Sequence, residues 1–320
     1  MLKPTLSIII ISYNTSKITL DCLKSVFLDV GLQFELTHSN DPKIPTEIII
    51  VDNNSSDDSV KNLKLIKNIT LIVNKNNSGF GKANNQAAAA AKGNYLLFLN
   101  SDTIILHSAI SQSLNWLSSH PEAGACTAQL LNKDYTIQAS GGYFPNLLNI
   151  KTWTFNLDDL PFVNFFIKPF HPHTPDFYTH DNFYLNDHRQ DWITGAYMLI
   201  RRSVFDAVNG FDENYFMYGE ECEMLYRIHN KFPNYQTWYL VGPQVIHLGN
   251  ASATKKVDPL IKEYEGVVSF FTKHKPAWQI NIVKILLRIN AISHRFLYFL
   301  TGNYQKNLLY KELCSRTLNY

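Results

Sequence analysis

The stretch LSIIIIS, residues 6–12, decides the fold class of this chain. An unbroken apolar run rich in β-branched residues is typical of a strand buried on both faces of a parallel sheet. The runs EIIIV at 47–51 and YLLFL at 95–99 share this character, and residues 69–73 predict one more strand. Helical spacing predicts intervening helices at 17–28, 57–66 and 83–92. This alternation predicts an α/β fold with a mostly parallel central sheet flanked by helices.

Polar residues follow three of the predicted strands. The three clusters are Ser12-Tyr13-Asn14, Asp52-Asn53-Asn54 and Asn100-Ser101-Asp102. In parallel sheets, ligands bind at the carboxyl ends of the strands. One such cluster is usually a turn, and Asp102 alone could equally cap the next helix. Three clusters favour a shared binding crevice, where a carboxylate can bind a hard cation such as Mg²⁺ or Mn²⁺.

Two later segments carry further candidate residues. The segment NSGFGKANN, residues 77–85, places glycines directly before a predicted helix, so its backbone can approach a ligand. Alone this is weak evidence, because the segment is not a GxxxxGK[ST] phosphate loop. Three glutamates between 220 and 223 start a predicted helix over 217–231. Such clusters usually face solvent, but the aromatic run before this one indicates partial burial, which suits a carboxylate to act as a base.

The composition excludes several classes of protein. The chain has 320 residues and a formal net charge of +2, which argues against nucleic-acid binding. Four scattered cysteines without a CxxC pair indicate reduced thiols in a cytoplasmic protein. No stretch approaches the ~20 uninterrupted apolar residues that a spanning helix needs.

The segment WQINIVKILLRINAISHRFLYFL, residues 278–300, predicts an amphipathic basic helix. Such a helix can lie on an anionic membrane surface, which would make the protein peripheral on the inner face of the cell membrane. The alternative, a helix packed on the main domain with its basic side in water, stays open. The predicted domains are 1–255, with an irregular acceptor-side segment at 143–190, and a C-terminal helical region at 256–320.

Six segments together resemble glycosyltransferase family 2, which has the GT-A fold of nucleotide-diphospho-sugar transferases. They are SYN at 12–14, VDNNSSDDS at 51–59, NSGFGKANN at 77–85, LFLNSDT at 97–103, the stretch 194–227, and IHLGNAS at 246–252. They cover most of residues 6–252 in the order of the family. The run GFDENYFMYGE at 210–220 is most similar to the bacterial rhamnosyltransferase branch.

The resemblance implies a role for each matching residue. Glu221 would be the catalytic base, with its neighbour Glu220 as the second candidate. Asp102 would bind a Mg²⁺ or Mn²⁺ ion, with His247 near the metal or the diphosphate, although a lone histidine after a strand is more often a core residue. The predicted donor-binding residues are Ser12, Tyr13, Asn14, Asp52, Asn54, Gly79, Asn85, Ser101 and Asp102.

Two positions depart from the pattern of the family. The first position of its DxD element is Asn100 here, so Asp102 would carry the metal contact mostly alone. The base position is Glu221 rather than the usual aspartate. Glutamate has similar basicity and one more methylene.

The resemblance implies a metal-dependent, inverting glycosyltransferase that uses a nucleotide-diphosphate sugar. The first choice of donor is dTDP-rhamnose, and the acceptor would be a glycan or a lipid-linked sugar in bacterial cell-surface polysaccharide synthesis. A catalytically degenerate sugar-binding or scaffold protein is the alternative, because of the two departures. A nucleotidyltransferase is disfavoured, since the first strand leads into SYN and not into a Gly-rich loop with a basic residue.

Overall fold

The computed structural model describes residues 5–31, 44–158, 160, 163, 166–172, 183–249 and 259–317. It divides into two compact units: Met1–Gly142 with Pro172–Thr254, and Tyr143–His171 with Lys255–Tyr320. Three predicted segments lie partly outside the described residues. They are the irregular segment 143–190, most of which is not described between 159 and 182, the motif 246–252 at its positions 250–252, and the C-terminal region 256–320 at its positions 256–258.

The described part of the first unit contains one mixed sheet of nine strands in the order β3-β2-β1-β4-β8-β6-β9-β5, with β7 paired to β9. The strands are β1 Leu6–Ser12, β2 Thr46–Asp52, β3 Thr70–Val73, β4 Tyr95–Asn100, β5 Thr103–Leu106, β6 Ala123–Leu131, β7 His188–Gln190, β8 Tyr197–Arg201 and β9 Gln236–His247. The four strands predicted from the first hundred residues are parallel to one another. Beyond them the sheet alternates, because β8 is antiparallel to both β4 and β6, and β5 and β7 are antiparallel to β9.

The helices of the first unit lie between its strands along the chain. They are α1 Ser16–Val30, α2 Ser59–Leu63, α3 Phe80–Ala90, α4 Ala109–Ser119, α6 Arg202–Ala207 and α7 Glu220–Lys231. The helix predicted at 57–66 is wrong in length, since α2 has only five residues and begins after Asp58. The stretch WITGAYMLIRR at 192–202 also predicts a strand, and the structure forms it only over Tyr197–Arg201.

The apolar run of β1 is explained by cover on both faces of the sheet. Ile8 and Ile10 join the core cluster that α1 and α4 complete on one face. Ile9 is equally buried but, by the alternation of a strand, points to the other face. On β4, Phe98 packs on that second face against Phe205 and Phe211, with ring centroids 5.1 and 5.0 Å away.

The second unit contains α5 Leu147–Thr154, α8 Pro259–His274, α9 Ala277–Leu300 and α10 Tyr304–Arg316. Asn290 of α9 is buried; it accepts a hydrogen bond from the Tyr264 hydroxyl and donates one to the Thr154 carbonyl. This side chain therefore joins α5, α8 and α9. Among the helices that the model describes, none has the length and hydropathy to cross a bilayer.

Candidate active site

The loops after β1 and β2 are tied together through Asn14. Its backbone has φ +54°, and its Oδ1 accepts from the Ser56 N–H at 2.7 Å. Its own N–H donates to Ser55 Oγ at 2.9 Å. Ser12 is fully buried, and its hydroxyl lies 3.1 Å from that of Thr19. Ser12 therefore belongs to a hydroxyl network inside the fold, and the two loops are held against each other by the hydrogen bonds of Asn14.

Asp52 ends β2 and is fully buried. Its Oδ1 accepts from the Ser55 N–H at 2.9 Å, whereas Oδ2 has no hydrogen-bond partner in the described part of the chain. A buried acceptor left without a donor costs on the order of 1–3 kcal/mol. Because Oδ2 is closed off from solvent in this structure, contact of Asp52 with a nucleoside stays a prediction.

Asn53, which is not among the predicted donor-binding residues, fixes the Gly-rich segment. Its Nδ2 donates to Asn77 Oδ1 at 2.8 Å and to the Gly79 carbonyl at 3.2 Å, and its Oδ1 accepts from the Ser78 N–H at 3.1 Å. Gly79 caps α3 with φ +83° and ψ 175°, a conformation that is essentially restricted to glycine. A Cβ there would lie 2.5 Å from the Phe216 carbonyl oxygen. The glycine therefore lets this segment approach the 216–219 loop closely.

The third cluster brings Asp102 and His247 together. Asp102 is only 8% exposed, and its Oδ1 lies 3.4 Å from His247 Nε2. The pairing of β5 with β9 sets Thr103 opposite His247 and so aligns the two side chains. Asn100 Nδ2 lies 3.4 Å from the same ring nitrogen, and Ser101 Oγ lies 3.2 Å from Thr15 Oγ1.

This pair suits a hard divalent cation. Nowhere in the described ranges do three or more His, Cys, Asp or Glu side chains gather in a metal-binding group. The protein thus offers one carboxylate and one imidazole, and leaves the other positions of an ion to a ligand and to water. Mg²⁺ typically binds proteins this way, through one or two carboxylates and substrate phosphates.

Glu220 and Glu221, the two candidate bases, differ in accessibility. Glu220 is 1% exposed, and its Oε2 has no partner in the described structure. Glu221 is half-buried, and its Oε1 accepts from the Gly195 N–H at 2.9 Å. Burial raises the pKa of both carboxyls; the Glu221 charge raises that of Glu220 further, and the Gly195 N–H opposes the rise at Glu221. Glu221 is thus the more accessible of the two carboxylates, and its role as the base stays a prediction.

Gly195 connects Glu221 to the strand ends. The next residue, Ala196, accepts from the Asn100 N–H at 3.1 Å. Because β8 is antiparallel to β4, the start of β8 meets the end of β4, where Asn100 stands. The base candidate and the Asp102–His247 pair are thus built onto neighbouring ends of the sheet.

Three of the predicted donor-binding residues, Asn85, Asn54 and Tyr13, lie outside the contacts described above. Asn85 is taken up by a turn, since its Nδ2 donates to the Phe211 carbonyl and its Oδ1 accepts from the Phe211 N–H, each at 2.9 Å. Asn54 is exposed with φ +72°. Tyr13 is half-buried between Ser12 and Asn14. Direct ligand contact by these side chains stays a prediction.

The family model of Glycosyl transferase family 2 matches residues 7–208, which is more than half of the chain. The chain therefore belongs to this family of glycosyltransferases. Glu221 and His247 lie beyond the matched segment. The predicted family and enzyme class are confirmed.

Curated relatives and a solved structure agree with this assignment. An N-acetylglucosaminyl-diphospho-decaprenol L-rhamnosyltransferase of Mycobacterium tuberculosis is 24% identical over 63% of this chain and 66% of its own. The rhamnosyltransferase WbbL of Escherichia coli K12 is 29% identical over 47% of this chain and 54% of its own. The chain thus spans less than two thirds of either relative.

The crystal structure of GalNAc-T7 with UDP, GalNAc and Mn²⁺ covers 83% of this chain and 48% of that one, with a TM-score of 0.56 at 17% identity. This likeness confirms the predicted GT-A fold class. The similarity to rhamnosyltransferases, which the sequence also predicted, is confirmed by the curated relatives.

Proposed function

We propose that this chain is an active inverting glycosyltransferase that uses a metal-bound nucleotide-diphosphate sugar. The observation that supports this most is the Glu221 carboxylate, held on the Gly195 N–H at 2.9 Å on the strand ends that also carry Asp102 and His247. Such a transfer needs a base for the acceptor hydroxyl and a positive charge that stabilises the leaving diphosphate; Glu221 is the candidate for the first, and the Asp102–His247 pair is the candidate site for the second.

In the proposed reaction Glu221 removes the proton from the acceptor hydroxyl as the oxygen attacks the anomeric carbon. The new C–O bond forms while the bond from that carbon to the diphosphate oxygen breaks, and its electron pair leaves with the diphosphate. Attack opposite the leaving group inverts the configuration. A Mg²⁺ or Mn²⁺ ion on Asp102 and His247 would neutralise charge on the leaving diphosphate. Asp52 would hold the nucleoside.

For the donor we propose dTDP-rhamnose, and for the acceptor a lipid-linked or other glycan of bacterial cell-surface polysaccharide synthesis. Two of the relatives are named rhamnosyltransferases, and one of these names contains a sugar diphosphate on a polyprenol. Identities of 24% and 29% support the class of reaction more than the individual substrates.

The test is a thermal-shift panel with Mg²⁺ or Mn²⁺ and the diphosphates UDP, dTDP, GDP and CDP. A ligand at 100 times its Kd stabilises the fold by about 2.7 kcal/mol. We expect a metal-dependent shift with dTDP that Asp102→Ala abolishes. In a transfer assay, Glu221→Gln should lose about 10²–10⁴-fold in rate and keep the shift with dTDP.

Each outcome discriminates between proposals. No shift with any nucleotide in a well-folded sample would support the non-catalytic scaffold. A shift with dTDP but full activity of Glu221→Gln would refute Glu221 as the base. Gln preserves the size and the hydrogen bond of the side chain, so its loss of activity cannot be ascribed to a cavity.

We also propose that α9 binds an anionic membrane surface. Nine large apolar residues are exposed on it, including Leu297 and Leu300. The other seven recur at spacings of four and three and are 38% to 72% exposed: Trp278, Ile282, Ile285, Ile289, Ile292, Phe296 and Phe299. We call these seven the exposed stripe. Lys284, Arg288 and Arg295 each precede a member of the stripe by one position, so all three lie on the same flank of the helix. The sequence of α9 contains no acid, which favours anionic headgroups over the complementary charges of a second helix.

Flotation with vesicles tests the membrane proposal. We expect binding to phosphatidylglycerol vesicles, weak binding to phosphatidylcholine, and loss of binding in the pair Ile285→Asp and Ile292→Asp. Leu28→Asp, which charges an 81% exposed leucine of α1, is the matched control and should still bind. Equal binding by the stripe variant, or a lipid-free dimer that the stripe variant abolishes, would overturn the proposal.

A further inference from the structure

Gln138 holds the far side of the His247 ring. Its Oε1 lies 2.7 Å from His247 Nδ1, and its Nε2 donates to the His247 carbonyl at 3.2 Å. It is half-buried and lies 109 positions before His247 in the chain. The contact is therefore created by the fold, where the hairpin after β6 crosses the end of β9.

A chain of hydrogen bonds fixes which way the Gln138 amide faces. It starts at the Asp134 carboxylate, whose pKa is lowered by hydrogen bonds from the Thr136 hydroxyl and N–H, so it accepts only. The Thr136 hydroxyl must donate to it at 2.7 Å, and therefore accepts from Asn132 Nδ2 at 2.9 Å. Asn132 Oδ1 is then free to accept from Gln138 Nε2 at 3.0 Å, which leaves Gln138 Oε1 facing His247.

The direction of this chain determines the proton on the imidazole. An amide oxygen can only accept, so Nδ1 of His247 must carry a hydrogen. In the neutral ring the other nitrogen, Nε2, then presents a lone pair. Nε2 lies 3.4 Å from Asp102 Oδ1 and 3.4 Å from Asn100 Nδ2. The Asn100 amide can donate to this lone pair, whereas Nε2 and Asp102 Oδ1 are two electron-rich atoms whose separation suits a cation between them.

We propose that Gln138 is a positioning residue that holds His247 as its Nδ1–H tautomer and so directs the Nε2 lone pair towards Asp102. The role of Gln138 in metal binding rests on the cation site of the proposed function, whereas the tautomer of His247 does not depend on that site. Groups that orient a metal-binding histidine in this way typically contribute about 10–100-fold in metal affinity.

The first experiment reads the tautomer without metal. Long-range ¹H–¹⁵N correlation spectra of the labelled full chain at pH 8 show which ring nitrogen bears the proton, with His247→Gln to assign the signal. We expect Nδ1–H in the unmodified protein and in Gln138→Glu, which keeps the acceptor. Gln138→Leu should show a mixture of both tautomers. A ring with Nε2–H in the unmodified protein would overturn the inference, whatever the enzyme transfers.

The second experiment titrates Mn²⁺ by electron paramagnetic resonance in the presence of dTDP. Gln138→Leu should raise the Kd for Mn²⁺ about 10–100-fold, and Gln138→Glu should stay within a few-fold of the unmodified protein. Lys133→Ala, an exposed change in the same hairpin, is the matched control and should change nothing. An unchanged Kd and tautomer in Gln138→Leu would refute the positioning role. Absence of Mn²⁺ binding in every variant would instead refute the metal site, while the spectra still decide on Gln138.

Discussion

Gly195→Ala tests how closely the Glu221 carboxylate must be placed. A Cβ at Gly195 would lie 2.8 Å from Glu221 Oε1 and 2.9 Å from Phe80 Cε1 and Cζ. Ordinary contact begins at 3.4 Å, so Oε1 must retreat by 0.6 Å, the difference between 3.4 and 2.8 Å. A misplacement of about 1 Å can cost 10²-fold in rate, so a shift of this size should cost roughly 10-fold or more. That loss corresponds to about 1.4 kcal/mol in the barrier.

The assay is release of dTDP from dTDP-rhamnose, with the thermal shift by dTDP and Mn²⁺ as the measure of donor binding. Because the clash involves only the ends of two side chains, we expect donor binding and folding to be kept. Gly242→Ala is the matched control, since its Cβ would meet only Gln112 Oε1 at 3.5 Å. A Gly195→Ala enzyme as fast as Gly242→Ala would refute the idea that the Gly195 N–H sets the position of the base.

Three further predictions concern Glu220, Glu221 and Gly79. The buried Glu220 has a raised pKa, so its protonation contributes stability that is fully present below about pH 4.3, the ordinary glutamate pKa, and is lost as the pH rises through the pKa in the folded state. Glu220→Gln should therefore raise Tm at pH 8 and not at pH 4, and an unchanged Tm at pH 8 would contradict this prediction. The pKa of Glu221 is also raised, so the transfer rate should fall as the pH drops through that pKa, and a rate profile that stays flat in the acid range would exclude Glu221 as the base. Gly79→Ala, which forces a Cβ against the Phe216 carbonyl at positive φ, should cost about 1–3 kcal/mol of unfolding free energy in urea titrations, and a midpoint equal to that of the unmodified chain would show that the backbone of the segment can adjust.

The strands at the start of the chain were predictable because burial on both faces leaves a pattern in the sequence. Runs such as LSIIIIS and YLLFL must be apolar at every position when helices cover both sides. The later strands lack this pattern. The strand β6, AGACTAQLL, is fully buried yet built mostly from small residues, and its partner β9 is polar at several positions. The strand β8 is antiparallel to β4 and β6, whereas the alternation of strands and helices predicted a mostly parallel sheet.

The sequence identifies candidate site residues where they end a strand, as Asp52 and Asp102 do, or match a family motif, as Glu221 does, and their roles stay predictions. The family motif already favours Glu221 over Glu220, and the structure adds that Glu221 is the more exposed of the two, which no sequence pattern reports. Gln138 was not predictable, because its partner lies 109 positions away and the direction of its amide depends on a hairpin. Long-range pairing of this kind leaves no local signal.

The buried Asn290 contact has a consequence for how the chain acquires its structure during synthesis. Thr154 belongs to a segment that ends at His171, whereas Tyr264 and Asn290 lie on helices that begin only at Pro259. At roughly 5–20 residues per second, the ribosome needs on the order of 4–18 s to add the 88 residues between positions 171 and 259. Trp153 and Phe170 pack against each other in that early segment, and Trp153 packs against Tyr264 of the later one. During this interval the contact between Trp153 and Tyr264 cannot yet form, so the early segment completes its packing only after the later helices have been made.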